Sequence, residues 1–364
     1  MEFGVFLLAQ QRSYAQSSHD VIRASIEQTV VAEQAGFDAA WYAEHHFNNY
    51  SLSPSPLMLC AHAAAKTSRI RLGPAVCVLP LYQAPRFLAE VALVDTLSNG
   101  RLELGIGSGY QQFEFERFNT DLSEAGKMFQ EYMDVIPMAL TQKTFEYEGR
   151  YLKIPQTSLN VQCVQDPMPP IWVTTGNPLV RARAMREGYN LFITALLGGL
   201  DAIRLLRSRM EEAAEAAGTN VDDTKFGFLR CGFASENRAE IDAYLDSARF
   251  ARRLSESLRD RRQETDDGYL MQEVPLQQEM TLDEMHANLP VGSVNQVIDR
   301  MLEEIEILMP RHIALQTQLG DCDQATMLRQ IEVWGDKIIP AIRKALGSDS
   351  GNDSGTGARQ YATA

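Results

Sequence analysis

From end to end the chain alternates between short apolar runs of strand length and longer segments whose apolar residues recur at helical spacing. The short runs lie at 2–8, in DAAWYA (38–43), IRLGPAVCVL from Ile70, RLELGIG from Arg101, PIWVTTG from Pro170, YNLFITA from Tyr189, KFGFLRCGFA from Lys225 and RHIALQTQLG from Arg311. Helical patterns occupy 20–36, 56–66, 84–98, about 122–142, 199–217, 236–256, 293–306 and 324–345. A strand, a helix and a further strand in regular succession build a parallel sheet, because parallel neighbours need a long crossover. Eight such units predict a closed (β/α)8 TIM barrel, with a doubly wound open sheet as the competing α/β architecture.

Two segments stand outside the repeat. Residues 257–290 are charge-rich with little periodicity and are expected to form a mobile lid or loop inserted before the last strand. The stretch at 347–364, small and polar, offers no packing face and is expected to be a disordered tail. One barrel domain over 1–346 is the expected organisation. FEYEGRYLKIP, with EGR as its turn, is expected to form a hairpin beside the barrel.

Composition narrows the function. A net charge of −14 shows no electrostatic footprint for nucleic acid or an anionic membrane surface. Five cysteines, none in a CxxC pair, fit reduced thiols in a cytoplasmic protein rather than a disulfide framework. The opening MEFGVFLLAQQRSY has no basic leader and too short an apolar run for a signal peptide or a membrane span, so it reads as a first strand.

Residues just past a strand end face the shared mouth of such a barrel. Three stretches fall there. Glu44, His45 and His46 follow the second strand and hold two of the six histidines. A metal site is the weak reading, because adjacent side chains on extended backbone point to opposite sides and no HExxH or CxxC completes a ligand set. The alternatives are histidines on a polar rim, or one imidazole acting as base or donor with the carboxylate orienting it. GRLELGIGSGY (100–110) has the spacing GxGxG, with no helix expected to open directly after it, and so matches a dinucleotide fingerprint poorly. Its glycines permit a close backbone approach, to a neighbouring strand or to a planar cofactor ring. In VTTGNP (173–178), Thr174, Thr175, Gly176 and Asn177 precede a helix-opening Pro178. This suits a phosphate, or simply a helix start capped by Asn177.

Taken in order, AEQAGFDAAWYAEHHF, the block from Arg69 to Tyr110, the opening EFGVF and the closing VGSVNQVIDRM resemble the bacterial luciferase-like flavin-dependent monooxygenase family over roughly 1–345. The resemblance implies a TIM barrel that binds reduced FMN noncovalently at its C-terminal mouth, often as a homodimer, with a separate flavin reductase supplying the cofactor. It implies that O2 forms a peroxyflavin adduct that oxygenates a small organic substrate. By the same resemblance His45 is the catalytic imidazole, held by Glu44. Pro74, Ala75 and Val76 pack against the flavin ring, in some members through a cis peptide. Gly107, Ser108, Gly109 and Tyr110, with Thr174, Thr175, Gly176 and Asn177, receive the rest of the cofactor. Luciferases proper carry an arginine where this chain has Ser108 and an acidic–serine pair where it has Gly176 and Asn177, so neither light emission nor tight FMN binding is implied. Two other functions remain open: a deazaflavin-dependent hydride-transfer oxidoreductase on the same barrel, and a non-catalytic flavin-binding subunit, against which an intact His45 argues. The substrate is not disclosed.

Overall fold

The computed structural model describes residues 1–260, 265–266, 268–270 and 274–347. The tail expectation for 347–364 therefore lies, apart from Gly347, outside the described residues, as do 261–264, 267 and 271–273 of the expected lid.

Eight parallel strands close into the expected barrel, and the open-sheet alternative is set aside. They run Glu2–Leu7, Ala39–Tyr42, Arg71–Pro74, Leu104–Gly107, Ile171–Thr174, Asn190–Thr194, Phe226–Arg230 and His312–Gln318. The seam between the third and fourth strands closes at Leu72, whose N–H donates to the Arg101 carbonyl at 2.9 Å and whose carbonyl accepts from the Glu103 N–H at 2.9 Å. The third run, read in the sequence as one strand, is broken. Arg71–Pro74 pairs with the second strand, Cys77–Val78 pairs with the fourth, and the Ala75–Val76 peptide between them is cis.

Strand alternation sorts side chains into two cores. Along the second strand Ala39, Trp41 and Ala43 point into the barrel lumen with Phe6, Leu8, Trp172 and Phe192, while Ala40 and Tyr42 point out to the surrounding helices. The lumen's lower half is filled. The Trp41 and Trp172 rings meet edge to face at 5.2 Å, and the Trp41 indole N–H donates to His312 Nε2 at 2.9 Å. Glycine is required beside that indole: a Cβ on Gly73 would lie 2.6 Å from the Trp41 ring and 2.6 Å from the Glu103 carbonyl oxygen. Filling the bottom leaves the top as the place for a ligand.

The helices start where side-chain caps satisfy their first N–H groups. Ser17 caps Ser18–Gln34, Asn177 caps Pro178–Arg186 and Asn237 caps Arg238–Arg259. This last helix runs on to Arg259, so 257–259 belong to it rather than to the expected loop. A second helix, Leu282–Asn288, also lies inside 257–290 and opens with a Thr281–Glu284 capping box, a signal present in the sequence. The hairpin is as expected, Phe145–Glu148 against Lys153–Thr157. Among the described residues no helix is long and apolar enough to cross a membrane.

Candidate active site

Alternation along the second strand continues past its end and decides the fate of the two histidines. His45 shares the lumen-facing parity of Trp41 and Ala43 and lines a cavity at the barrel mouth, while His46 turns away and is buried. The carboxylate that holds His45 is not the adjacent one. Its Nδ1 lies 2.9 Å from Glu114 Oε1, an atom that also accepts the His46 backbone N–H at 2.7 Å and an Asn48 side-chain N–H at 3.3 Å. Glu44, expected to orient His45, instead meets His46 Nε2 at 2.9 Å and accepts from the Tyr82 hydroxyl at 2.5 Å and the Val78 N–H at 3.3 Å. The correction follows from geometry: neighbours on extended backbone diverge, so a residue's orienting partner comes from across the barrel mouth.

Glu114 rides on a six-residue helix, Gln112–Arg117, where no helix was expected after the glycine stretch. Phe113 and Phe115 bury themselves and carry Glu114 inward with them. Both carboxyls are buried, with opposite outcomes. Burial alone would raise Glu114, but the charge of His45, its hydrogen bond and the His46 N–H outweigh that and hold the carboxyl below its ordinary range. Burial dominates at Glu44 and raises it despite His46 and Tyr82. With Glu114 ionised, His45 Nδ1 carries the proton and donates, which leaves Nε2 as the nitrogen that a ligand can meet. The Tyr50 ring packs edge-on against the imidazole at 4.7 Å and fixes its plane.

The cavity measures about 400 Å³, in the range of small-molecule sites. Of the residues singled out in the sequence, it brings together Glu44, His45, Ala75, Val76, Gly107, Ser108, Gly109, Tyr110, Thr174, Thr175 and Gly176. Pro74 and Asn177 are not on its wall. Pro74 stays in the strand, with its carbonyl oxygen where a Cβ on Gly105 would lie only 2.0 Å away, and Asn177 caps the next helix by accepting from the Leu179 N–H at 2.9 Å. Sequence reading missed Glu114, Tyr50 and the cavity-facing stripe of helix Arg238–Arg259, which includes Arg252, Ser255 and Glu256. The FEFE pattern at 113–116 carried no period that would single out Glu114.

These features suit a flat, phosphorylated cofactor. Gly107 faces Val76 so closely that a Cβ would come within 2.7 Å of its Cγ2, so the fourth strand end can serve as bare backbone. At the fifth strand end Thr174 and Thr175 bring hydroxyls, and the space around the Gly176 Cα is open. Among the described residues no group of three or more His, Cys, Asp or Glu is placed to hold a metal ion.

An eight-stranded parallel barrel with a carboxylate-held imidazole, a glycine-lined slot and a hydroxyl-bearing strand end around one mouth cavity defines the chain as a TIM-barrel protein with its candidate site at the C-terminal mouth. It belongs to the luciferase-like monooxygenase family, whose profile matches residues 1–310. The chain is 58% identical over 347 residues to the uncharacterized protein y4vJ of Sinorhizobium fredii, covering 95% of this chain and 99% of that one. It is 27% identical over 307 residues to the oxygenase component of the flavin-dependent trigonelline monooxygenase of Acinetobacter baylyi, covering 83% and 85% of the two. In fold it is similar to the monooxygenase RslO1 of Streptomyces bottropensis (TM-score 0.79, 21% identity, 94% and 99% covered). It is also similar to an F420-dependent secondary alcohol dehydrogenase (TM-score 0.71, 16% identity, 94% and 99% covered).

Proposed function

We propose that the protein is the oxygenase component of a two-component flavin-dependent monooxygenase. It takes reduced FMN from a separate flavin reductase, works as a homodimer, and uses O2 to oxygenate a small organic substrate. The observation that carries the reading is His45, tied through Nδ1 to Glu114 and presented to a cavity that also holds the Gly107 slot and the Thr174–Thr175 strand end.

Bound reduced flavin would supply the electrons that activate O2. The chain's own residues do the rest. The Ala75–Val76 backbone and Gly107 receive a flat ring, and Thr174, Thr175 and the Gly176 N–H offer donors to a phosphate. His45 Nε2 accepts or returns a proton beside the reacting atoms, with Glu114 keeping the ring in one orientation. Phe6, Leu8, Phe192 and Leu229 give the cavity an apolar wall that excludes water. In the 257–290 segment, the Gly268 carbonyl accepts from the Asn49 N–H at 3.3 Å and Tyr269 stacks on Tyr14 at 3.9 Å. The first contact is to the loop that carries His45 and the second to the loop after the first strand, the placement a closing lid needs.

Oxygen uptake that depends on reduced FMN, with substrate consumed in step, is the expected result when a generic reductase feeds the chain. Equilibrium dialysis should show tighter retention of reduced than of oxidised FMN. Turnover with a reduced deazaflavin and no need for O2 would replace this reading with hydride transfer.

A further inference from the structure

The cavity has two chemically distinct walls. One is the apolar set of the barrel lumen, where Phe6, Leu8 and Phe192 meet Ala248 and Ala251 of helix Arg238–Arg259. One turn further along that helix the wall becomes polar. Ser255 Oγ lies 3.1 Å from the Tyr110 hydroxyl, and the Tyr50 hydroxyl joins the same cluster, with Arg252 as a neighbouring charge. Tyr50 is the ring packed against His45, so this corner adjoins the imidazole.

Arg252 is the cation of that corner. Its Nη2 lies 2.7 Å from Glu256 Oε1, an i,i+4 pair in which the arginine side chain stays 37% exposed. Such a pair is weak, and it engages one nitrogen of a planar fork built to grip a carboxylate with two N–H groups. The other cavity carboxyls are occupied, Glu44 with His46 and Glu114 with His45. Arg259, a second cation on the same helix face, also lines the cavity. Arg259 lies 3.5 Å from Asp260, and among the described residues Arg252 is held only by the partly exposed Glu256 pair. A ligand carboxylate entering this corner can therefore compete with Glu256 for the Arg252 fork.

We infer that Arg252 recognises an anionic group on the substrate, which is therefore a small organic acid whose apolar body lies against Phe6, Leu8 and Phe192. This rests on the oxygenase reading for the identity of the cavity's second ligand, yet it can fail separately from it. The two anions such a cavity could meet, a substrate carboxylate and the cofactor phosphate, share the chemistry Arg252 offers, and its position beside Tyr50 and His45 favours the first.

The test is calorimetric titration of the whole chain, with no turnover required. Benzoate, phenylacetate and octanoate are each compared with the corresponding neutral amide, and FMN with riboflavin. At least one acid should bind about tenfold or more tightly than its amide, the scale of a charged hydrogen bond. Arg252→Gln should remove that preference, Arg252→Lys should restore part of it, and both should keep the wild-type thermal midpoint and FMN affinity. If no acid outbinds its amide, or if Arg252→Gln leaves the preference intact, the inference is overturned. A loss of FMN affinity with riboflavin affinity unchanged would also overturn it, by assigning Arg252 to the cofactor phosphate. FMN that binds normally without any oxygen uptake would sink the oxygenase reading while leaving this result standing.

Discussion

The second strand end is finished before any ligand arrives, whereas the fifth strand end is not. At the second, His45, His46, Glu44 and Glu114 are each 11% exposed or less and satisfy one another's hydrogen bonds. At the fifth, Thr174, Gly176 and Asn177 are exposed, and the local bonds only start a helix: Asn177 N–H to Thr175 Oγ1 at 3.0 Å and Leu179 N–H to Asn177 Oδ1 at 2.9 Å. On the proposed function, the contrast teaches that the two places face different demands. A group that moves protons needs its orientation fixed in advance, in a low-dielectric setting where a misplaced charge is costly. A group that holds a solvated phosphate can wait in water and gain its partners on binding.

Substitutions can break that comparison, beginning where the expected effect is largest. His45→Ala should lower substrate oxygenation on the order of 10²-fold or more, the usual scale for an acid–base group, while FMN binding changes little. His46→Ala should act mainly on stability, because it leaves Glu44 buried without its histidine. Should His46→Ala abolish oxygenation while His45→Ala stays active, the orientation drawn here for the strand end is wrong.

Glu114→Gln comes next. It keeps an acceptor for the His46 N–H but loses the charge on His45, and a hydrogen bond to a charged group is worth about 1.5–3 kcal/mol, so steady-state turnover should fall roughly 10- to 100-fold. Glu44→Gln should cost less in turnover, since Glu44 does not touch His45. Equal losses in the two variants would show that both carboxyls serve the same histidine.

At the fifth strand end the effect should fall on cofactor binding rather than on turnover. Thr175→Ala removes one hydrogen bond to a charged phosphate, worth about 1.5–3 kcal/mol, so FMN affinity should drop roughly 10- to 100-fold. Riboflavin affinity should be unchanged, with only a small fall in thermal midpoint from the lost acceptor of the Asn177 N–H. A large fall in thermal midpoint would mean that this end is structural too.

The pH dependence of stability sharpens the picture within the buried end, because its two carboxyls are displaced in opposite directions. Glu114 is held below the ordinary value of 4.5, so its contribution is present above that pH and is lost as pH falls through the lowered value. Glu44 is raised above 4.5, so the folded state pays nothing for it in acid and loses stability as pH rises from 4.5 through the raised value. Urea midpoints across pH should therefore separate the variants. Relative to Glu114→Gln the wild type weakens in acid, and relative to Glu44→Gln it weakens towards neutral pH. Parallel curves for both would overturn the assignment of opposite environments.

Much of the architecture was legible because barrel strands and helices announce themselves locally. Period-two and 3.6-residue patterns placed all eight strands, and they placed the EHH, GxGxG and TTGN stretches at strand ends facing one mouth. The helix Leu282–Asn288 was legible too, through Thr281 and Glu284, although charge around it masked the signal. The break in the third strand was not, since IRLGPAVCVL reads as one apolar run whether or not its hydrogen bonds change partner at Ala75.

By itself the sequence determined that a barrel would form and that two histidines would stand at the end of the second strand facing opposite ways. The choice of His45 came from the family resemblance, and the structure puts it on the lumen-facing parity of Trp41 and Ala43. Only the tertiary structure decided which carboxylate holds it. Glu44 is next to His45 in the chain and Glu114 is 69 residues away, yet extended backbone sends neighbours apart, while the packing of Phe113 and Phe115 sets Glu114 2.9 Å from the ring. Local pattern fixes the direction in which a side chain leaves its strand; the partner it meets there depends on which loop the closed barrel folds over it.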